Sequence, residues 1–312
     1  MMTMKYFDLH CDTATECFEK GVELYRNDLQ LSIEKGLDLD RWVQVYAIWM
    51  SDELRGEAAY QHFCKVYDNF LLELKKNEDL VQLCKTGTEI NEALIKGKKV
   101  ALLSVEGSAA LGGRLEHVED FYNRGIRLMT LTWNGRCEVG DGCMREGAEG
   151  LTDFGKAVVR EMNRLGMIID VSHLSDKGFW DVVHHSSESF IATHSNSQAI
   201  CPHPRNLSDE AFKVIVERKG LVGMNFYPTF INGTTEASIK ELLPHISHFL
   251  ELGGEDVIAL GSDFDGAMMP IDLPNIEKIE FLYDELVKKY GKSISNKICF
   301  ENALKFTNIL NK

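Results

Sequence analysis

The chain has 312 residues, 44% of them hydrophobic, which is enough apolar side chain to bury a full core and excludes disordered and fibrous classes. A formal net charge of −14, without a long run of Lys or Arg, excludes nucleic acid as a partner and leaves small molecules or proteins. No segment approaches the roughly 18 apolar residues of a membrane span, and no apolar stretch of signal-peptide length precedes His10, so a soluble, cytoplasmic protein with no membrane partner is expected.

Short apolar or alternating runs of strand length recur along the chain: KYFDLH (5–10), WVQVYAIW (42–49), KVALLSVE (99–106), IRLMTLTW (126–133), MIIDVSH (167–173), FIATH (190–194), GLVGMNFY (220–227) and VIALGSD (257–263). Helical patterns separate most of them. In TDFGKAVVREMNRLG, Phe154, Val158, Met162 and Leu165 repeat near helical spacing, Thr152 is placed to cap the start and Gly166 to stop the end. SDKGFWDVVHHS, LSDEAFKVIVERKG and SIKELLPHISHFLELGG repeat the idea. A longer helical excursion is expected over about 53–97, after the second strand, and IEKIEFLYDELVKKYG and SNKICFENALKFTNIL close the chain. Strands alternating with helices predict an α/β fold, a (β/α)8 TIM barrel. One catalytic domain over 1–312 is the simplest organisation, because the six prolines and 25 glycines are dispersed and no repeat or linker interrupts the chain. The eight cysteines (11, 17, 64, 84, 137, 143, 201 and 299) include no C-x-x-C pair, so reduced thiols are expected, with Cys137 and Cys143 the two to check.

In such a barrel the active site lies where the strands end, so the residue type closing each apolar run is informative. The first run ends in His10 and Asp12, the third in Glu106, the fifth in His173, the sixth in His194 and the eighth in Asp263. Side chains two apart on a strand share a face, so His10 and Asp12 can both point into the barrel mouth while Cys11 points away. Three histidines and three carboxylates exceed the three protein ligands of one catalytic zinc, whereas a metal pair would use them all. Zinc suits imidazole plus carboxylate, and manganese or cobalt satisfy the same ligand types. Each residue has a plainer use: Asp12 could cap the turn after it, and Asp263 or Asp265 a helix start. Coincidence at five separate strand ends favours a metal site.

The other histidines lack that context. His184 and His185 end a helix, His245 and His248 sit on an amphipathic one, and His62 and His117 lie on polar helical segments, where solvated or dipole-compensating roles are expected. His203 and Arg205 fall in the proline-bounded loop CPHPRNLSDE, and the planar fork of Arg205 suits a substrate carboxylate. GDGCMREGAEG has no phosphate-loop spacing.

DLHCDT, SVEG, IRLMTLTWN followed by GDG, GMIIDVSH, THS followed by RNLSDE, GLVGMNFYP and IALGSDFDG occur in an order that resembles the membrane (renal) dipeptidase family, peptidase family M19 of the metal-dependent amidohydrolases. The likeness runs from about residue 5 to about 310. It implies a zinc-dependent dipeptidase with two Zn²⁺ per chain that cleaves dipeptides through a metal-bridging hydroxide. By the same likeness His10 and Asp12 would hold one zinc, His173 and His194 the other, and Glu106 would bridge them. Asp263 matches the family's proton-shuttling aspartate, Arg205 the arginine that meets the substrate carboxylate, and Tyr227 lies on the strand lining the pocket. The sequence departs at Trp133, where better-known members carry a histidine that helps polarise the scissile carbonyl; an indole donates one N–H and does not titrate. That departure leaves two alternatives open, a binuclear hydrolase acting on another amide, lactone or ester, and a catalytically impaired homologue. A homodimer is compatible with the chain, although no stretch identifies an interface.

Overall fold

The computed structural model describes residues 4–311, and in them every apolar run singled out above contains a strand. These are β1 (Lys5–Cys11), β2 (Arg41–Trp49), β4 (Lys99–Glu106), β5 (Ile126–Thr130), β6 (Ile168–Asp170), β7 (Phe190–Ile191), β8 (Val222–Met224) and β9 (Ile258–Leu260). All pair in parallel, in the order β7-β6-β5-β4-β2-β1-β9-β8. Ala192 then closes the ring: its N–H donates to Leu221 O (2.9 Å), and its carbonyl accepts from Gly223 N (2.8 Å). The result is a nearly closed (β/α)8 TIM barrel.

The segment 53–97 is more than a helical excursion. Between helices Gly56–Lys76 and Gly87–Ile95 it contains a short strand, β3 (Val81–Leu83), paired with the start of β4 ahead of β5. Three residues carry too little periodicity to stand out between two helices. Helix Asp153–Leu165 follows its predicted signals: Thr152 Oγ1 accepts from Gly155 N (3.0 Å), and Gly166 ends the helix at φ 75°.

Alternation sorts the strand side chains into two cores. Phe7, Leu9, Val43, Val45, Val100, Leu102 and Leu128 fill the barrel and are plugged from below by Phe300, Ala303 and Leu310 of the C-terminal segment. Tyr6, Trp42, Tyr46, Leu103 and Met129 face the surrounding helices. Strict alternation from Phe7 and Leu9 would turn His10 outward. β1 avoids this with one extra residue, since Asp8 pairs with Gln44 but Cys11 with Tyr46. The bulge re-phases the strand, sending Cys11 to the outer core and His10 to the barrel mouth. Buried Asp8 braces that bend: its carboxylate accepts from Ser262 N (2.8 Å), Ser262 Oγ (2.6 Å) and Tyr6 Oη (3.0 Å).

Two histidines expected to be solvated are buried. His117 stacks on Tyr60 at 3.8 Å with Nδ1 2.8 Å from Leu111 O. His245 accepts from Ser197 N (3.1 Å) and meets Ile231 O at 2.8 Å. Backbone groups of Leu111, Ser197 and Ile231 meet these ring nitrogens, which lowers the cost of burial. The eight cysteines are free thiols, and Cys137 Sγ lies 3.4 Å from Ser108 Oγ rather than against Cys143. No helix among the described residues is long and apolar enough to cross a membrane.

Candidate active site

The six strand-end residues converge at the C-terminal mouth of the barrel. Alternation along β4 puts Glu106 on the inward face of Val100 and Leu102, while His173, His194 and Asp263 lie just past β6, β7 and β9. His173 and Asp263 sit at φ 67° and 65°, an uncommon conformation for non-glycine residues and one that clusters at functional sites. Gly266 keeps the floor open, since a Cβ there would stand 2.0 Å from Asp12 Oδ2 and 2.8 Å from Asp263 Oδ1.

Glu106 organises the geometry. Its Oε2 lies 3.4 Å from His10 Nε2, and its Oε1 lies 2.9 Å from His173 Nε2 and 3.4 Å from His194 Nε2. Asp12 Oδ2 is 3.5 Å and Asp263 Oδ1 3.9 Å from His10 Nε2. The two nitrogens of His173 and His194 stand 2.9 Å apart, and the His10 ring stacks on His194 at 3.9 Å.

These residues fit metal ions. His10 Nε2 and Asp12 Oδ1 are buried without a hydrogen-bond partner, and the Asp12 side chain does not cap the helix it precedes. Ligand atoms bound at about 2.0–2.2 Å to one zinc lie roughly 3–3.5 Å from each other, the spacing seen on both sides of Glu106. His10 with Glu106 and His194, and His10 with Asp12 and Asp263, each form a trio able to hold an ion.

The metal-free electrostatics show what an ion must displace. Burial, reinforced by Glu106, pushes the Asp12 carboxyl up to about 8. Burial alone would lower His10, but Glu106 and Asp12 outweigh it and hold the ring charged well above 6.5. Burial likewise opposes ionisation of Glu106, yet His10 and His173 keep that carboxyl well below its usual range. Burial, then Arg205, lowers His173; burial, then His10, lowers His194 further, so both rings are neutral and ready to ligate. An incoming cation therefore expels protons from His10 and Asp12. Zinc affinity should rise with pH by about tenfold per unit for each proton displaced between about pH 6 and 8, measured by chelator competition. A flat profile would show that neither group holds a proton in the metal-free protein.

A cavity of about 580 Å³ opens over the cluster, walled by Trp49, Trp133, Tyr227, Phe230 and Met268, with Glu16 and Asp265 at its edge. Trp133 and Tyr227 thus border the cavity, although Tyr227 stands past the end of β8, at the start of helix Pro228–Asn232, rather than on the strand. Arg205 does not line this cavity. The loop after β7 folds back, with Leu207 N donating to Asn196 O, and buries the guanidinium. Its Nη2 donates to His194 O (3.2 Å), it lies 5.2 Å from the Phe230 ring centroid, and it borders an adjoining cavity of about 190 Å³ on the far side of His173. Residue-type reasoning gave no site role to two residues around the cluster. Asn225 Nδ2 donates to Asp263 Oδ2 (3.0 Å), and Asp265 ties the site loop to Thr13 Oγ1 and Gln30 N at 2.6 Å each. Neither lies at the end of an apolar run, so only a spatial neighbour reveals them.

The sequence pattern of the membrane dipeptidase family, peptidase family M19, matches residues 1–312. The chain belongs to that family. It is accordingly a metallodipeptidase. Among similar structures, the M19 metallopeptidase dipeptidase AC superposes with a TM-score of 0.92 at 26% identity, over 98% of each chain. A metallopeptidase from Rhodobacter sphaeroides, solved with a phosphinate mimic of the dipeptide L-Ala-D-Ala, gives 0.91 at 25% identity over 99% of each. A Klebsiella pneumoniae protein encoded in the pqqA 5′ region is 32% identical over 237 residues, which are 72% of this chain and 87% of that protein.

Proposed function

We propose that this M19 dipeptidase works with two zinc ions, one held by His10 and Asp12, the other by His173 and His194, with Glu106 shared between them. The observation that carries this reading is the division of the Glu106 carboxylate, one oxygen toward His10 and the other toward His173 and His194. Zinc bound there supplies Lewis acidity and lowers the pKa of water toward neutrality. Asp263 borders the same cavity, and with Oδ2 held by Asn225 its Oδ1 is left to take a proton from the attacking water and return it to the leaving amine. The described residues lining the cavity include no Lys or Arg. Arg205, buried behind Phe230 with Nε unpaired, is then the cation that balances a substrate carboxylate through the wall. The aromatic wall with Trp133 favours apolar side chains. The dipeptide mimic bound by the Rhodobacter relative supports tolerance of a D-residue at the C-terminal position.

A panel of L,L and L,D dipeptides, with matching tripeptides and C-terminal amides, tests the substrate class. Cleavage of dipeptides with little of the longer or amidated compounds is expected. Hydrolysis of another amide, lactone or ester with none of any dipeptide would transfer the same site to a different substrate.

A further inference from the structure

Two of the histidines facing Glu106 are held from behind by groups with only one way to hydrogen-bond. Asp170 is buried at the end of β6, and four donors saturate it. Ser172 N and Thr193 N reach Oδ1 at 2.9 Å each, and Thr130 Oγ1 and Thr193 Oγ1 reach Oδ2 at 2.6 Å each. A threonine hydroxyl has one proton to give, and Thr193 gives it to Asp170. Toward its other neighbours it can only accept. Those neighbours are Ser172 Oγ at 3.3 Å and His194 Nδ1 at 2.8 Å. The His194 Nδ1 must therefore carry its ring proton, and Nε2 keeps a lone pair aimed at Glu106. On the other ring, Asn134 Oδ1 lies 2.9 Å from His173 Nδ1, and a carbonyl oxygen also accepts only.

We propose that Thr193, oriented by Asp170, and Asn134 are positioning residues that fix the Nδ1–H tautomers of His194 and His173, so that both Nε2 lone pairs converge on one side of Glu106. This rests on the reading that the two rings ligate metal. It also gives Asn134 a use: the residue beside Trp133 orients a ligand from the wall where the family histidine is missing. Histidine ligands are commonly held in this way, and loss of such a partner typically lowers metal affinity about 10–100-fold.

The test uses the full chain labelled with ¹⁵N-histidine and stripped of metal, with tautomers read from long-range proton–nitrogen correlations and zinc affinity from chelator competition. In the metal-free wild type both rings should carry a proton on Nδ1, and any further proton should be shared among the two Nε2 atoms, which lie 2.9 Å apart, and Glu106 Oε1. Thr193→Val should mix the His194 tautomers and weaken zinc binding about 10–100-fold. Thr193→Ser, which keeps the hydroxyl, should restore both readouts. Should Thr193→Val not fold, Asn134→Ala on the partly exposed loop should do the same to His173 alone. A wild-type His194 or His173 lacking a proton on Nδ1, or variants that leave the Nδ1 protonation and affinity unchanged, would overturn the proposal while zinc uptake leaves the metal reading intact. Correct tautomers in a protein that takes up no zinc would overturn the metal reading and the positioning role with it.

Discussion

Asp263→Asn should lower kcat for dipeptide hydrolysis by about 10²–10⁴-fold, the usual contribution of a positioned general base and acid, with metal content unchanged. The substitution keeps the shape of the side chain, and an amide oxygen can still accept from Asn225 Nδ2 as Asp263 Oδ2 does at 3.0 Å. What disappears is the capacity to receive and return a proton. KM should move much less than kcat, because a ground-state dipeptide does not depend on that proton. Steady-state kinetics and metal analysis on the same preparation decide the matter. Unchanged kcat would remove the proton-carrying role. Loss of metal would instead make Asp263 a ligand, as its place in a trio with His10 and Asp12 allows.

Glu106→Gln should have a larger effect on the site and a measurable one on the fold. In the proposed two-zinc site both ions would lose a charged ligand at once, so zinc affinity should fall by more than the roughly 10–100-fold typical of an outer partner. In the metal-free protein the carboxylate neutralises buried His10. Removing one partner of a buried ion pair costs about 3–5 kcal/mol, and the lower end is expected because His10 can shed its proton once Glu106 is neutral. Glu106 is held ionised well below 4.5, so its stabilisation is present above the ordinary carboxylate pKa and is lost only as pH falls through the depressed folded value. Urea unfolding of the chelated proteins at neutral pH and in acid gives this difference directly. Equal stability of the two proteins at neutral pH would mean that His10 and Glu106 are not an ion pair.

Much of this was legible in the residues because a barrel places chemistry at strand ends, and residue type at those ends is a local property. His10, Asp12, Glu106, His173, His194 and Asp263 converge for that reason. What the sequence concealed depends on three-dimensional contacts. The β1 bulge that turns His10 inward is a relation between two strands, visible only in their register. Arg205 matches a substrate-binding motif, yet whether its guanidinium reaches the cavity depends on how the loop after β7 packs on His194 and Phe230. His117 on a polar helical segment and His245 on an amphipathic helix read as solvated or dipole-compensating, but two backbone carbonyls and one amide, 6 to 48 positions away, take up their ring nitrogens. β3 has three residues and no period of its own.

Metal stoichiometry measured during reconstitution tests the central claim most directly. The chelated protein should bind two zinc ions, and dipeptide hydrolysis, absent without metal, should return as the sites fill. One zinc per chain at full activity, or hydrolysis that survives complete removal of metal, would contradict the two-metal site built around Glu106.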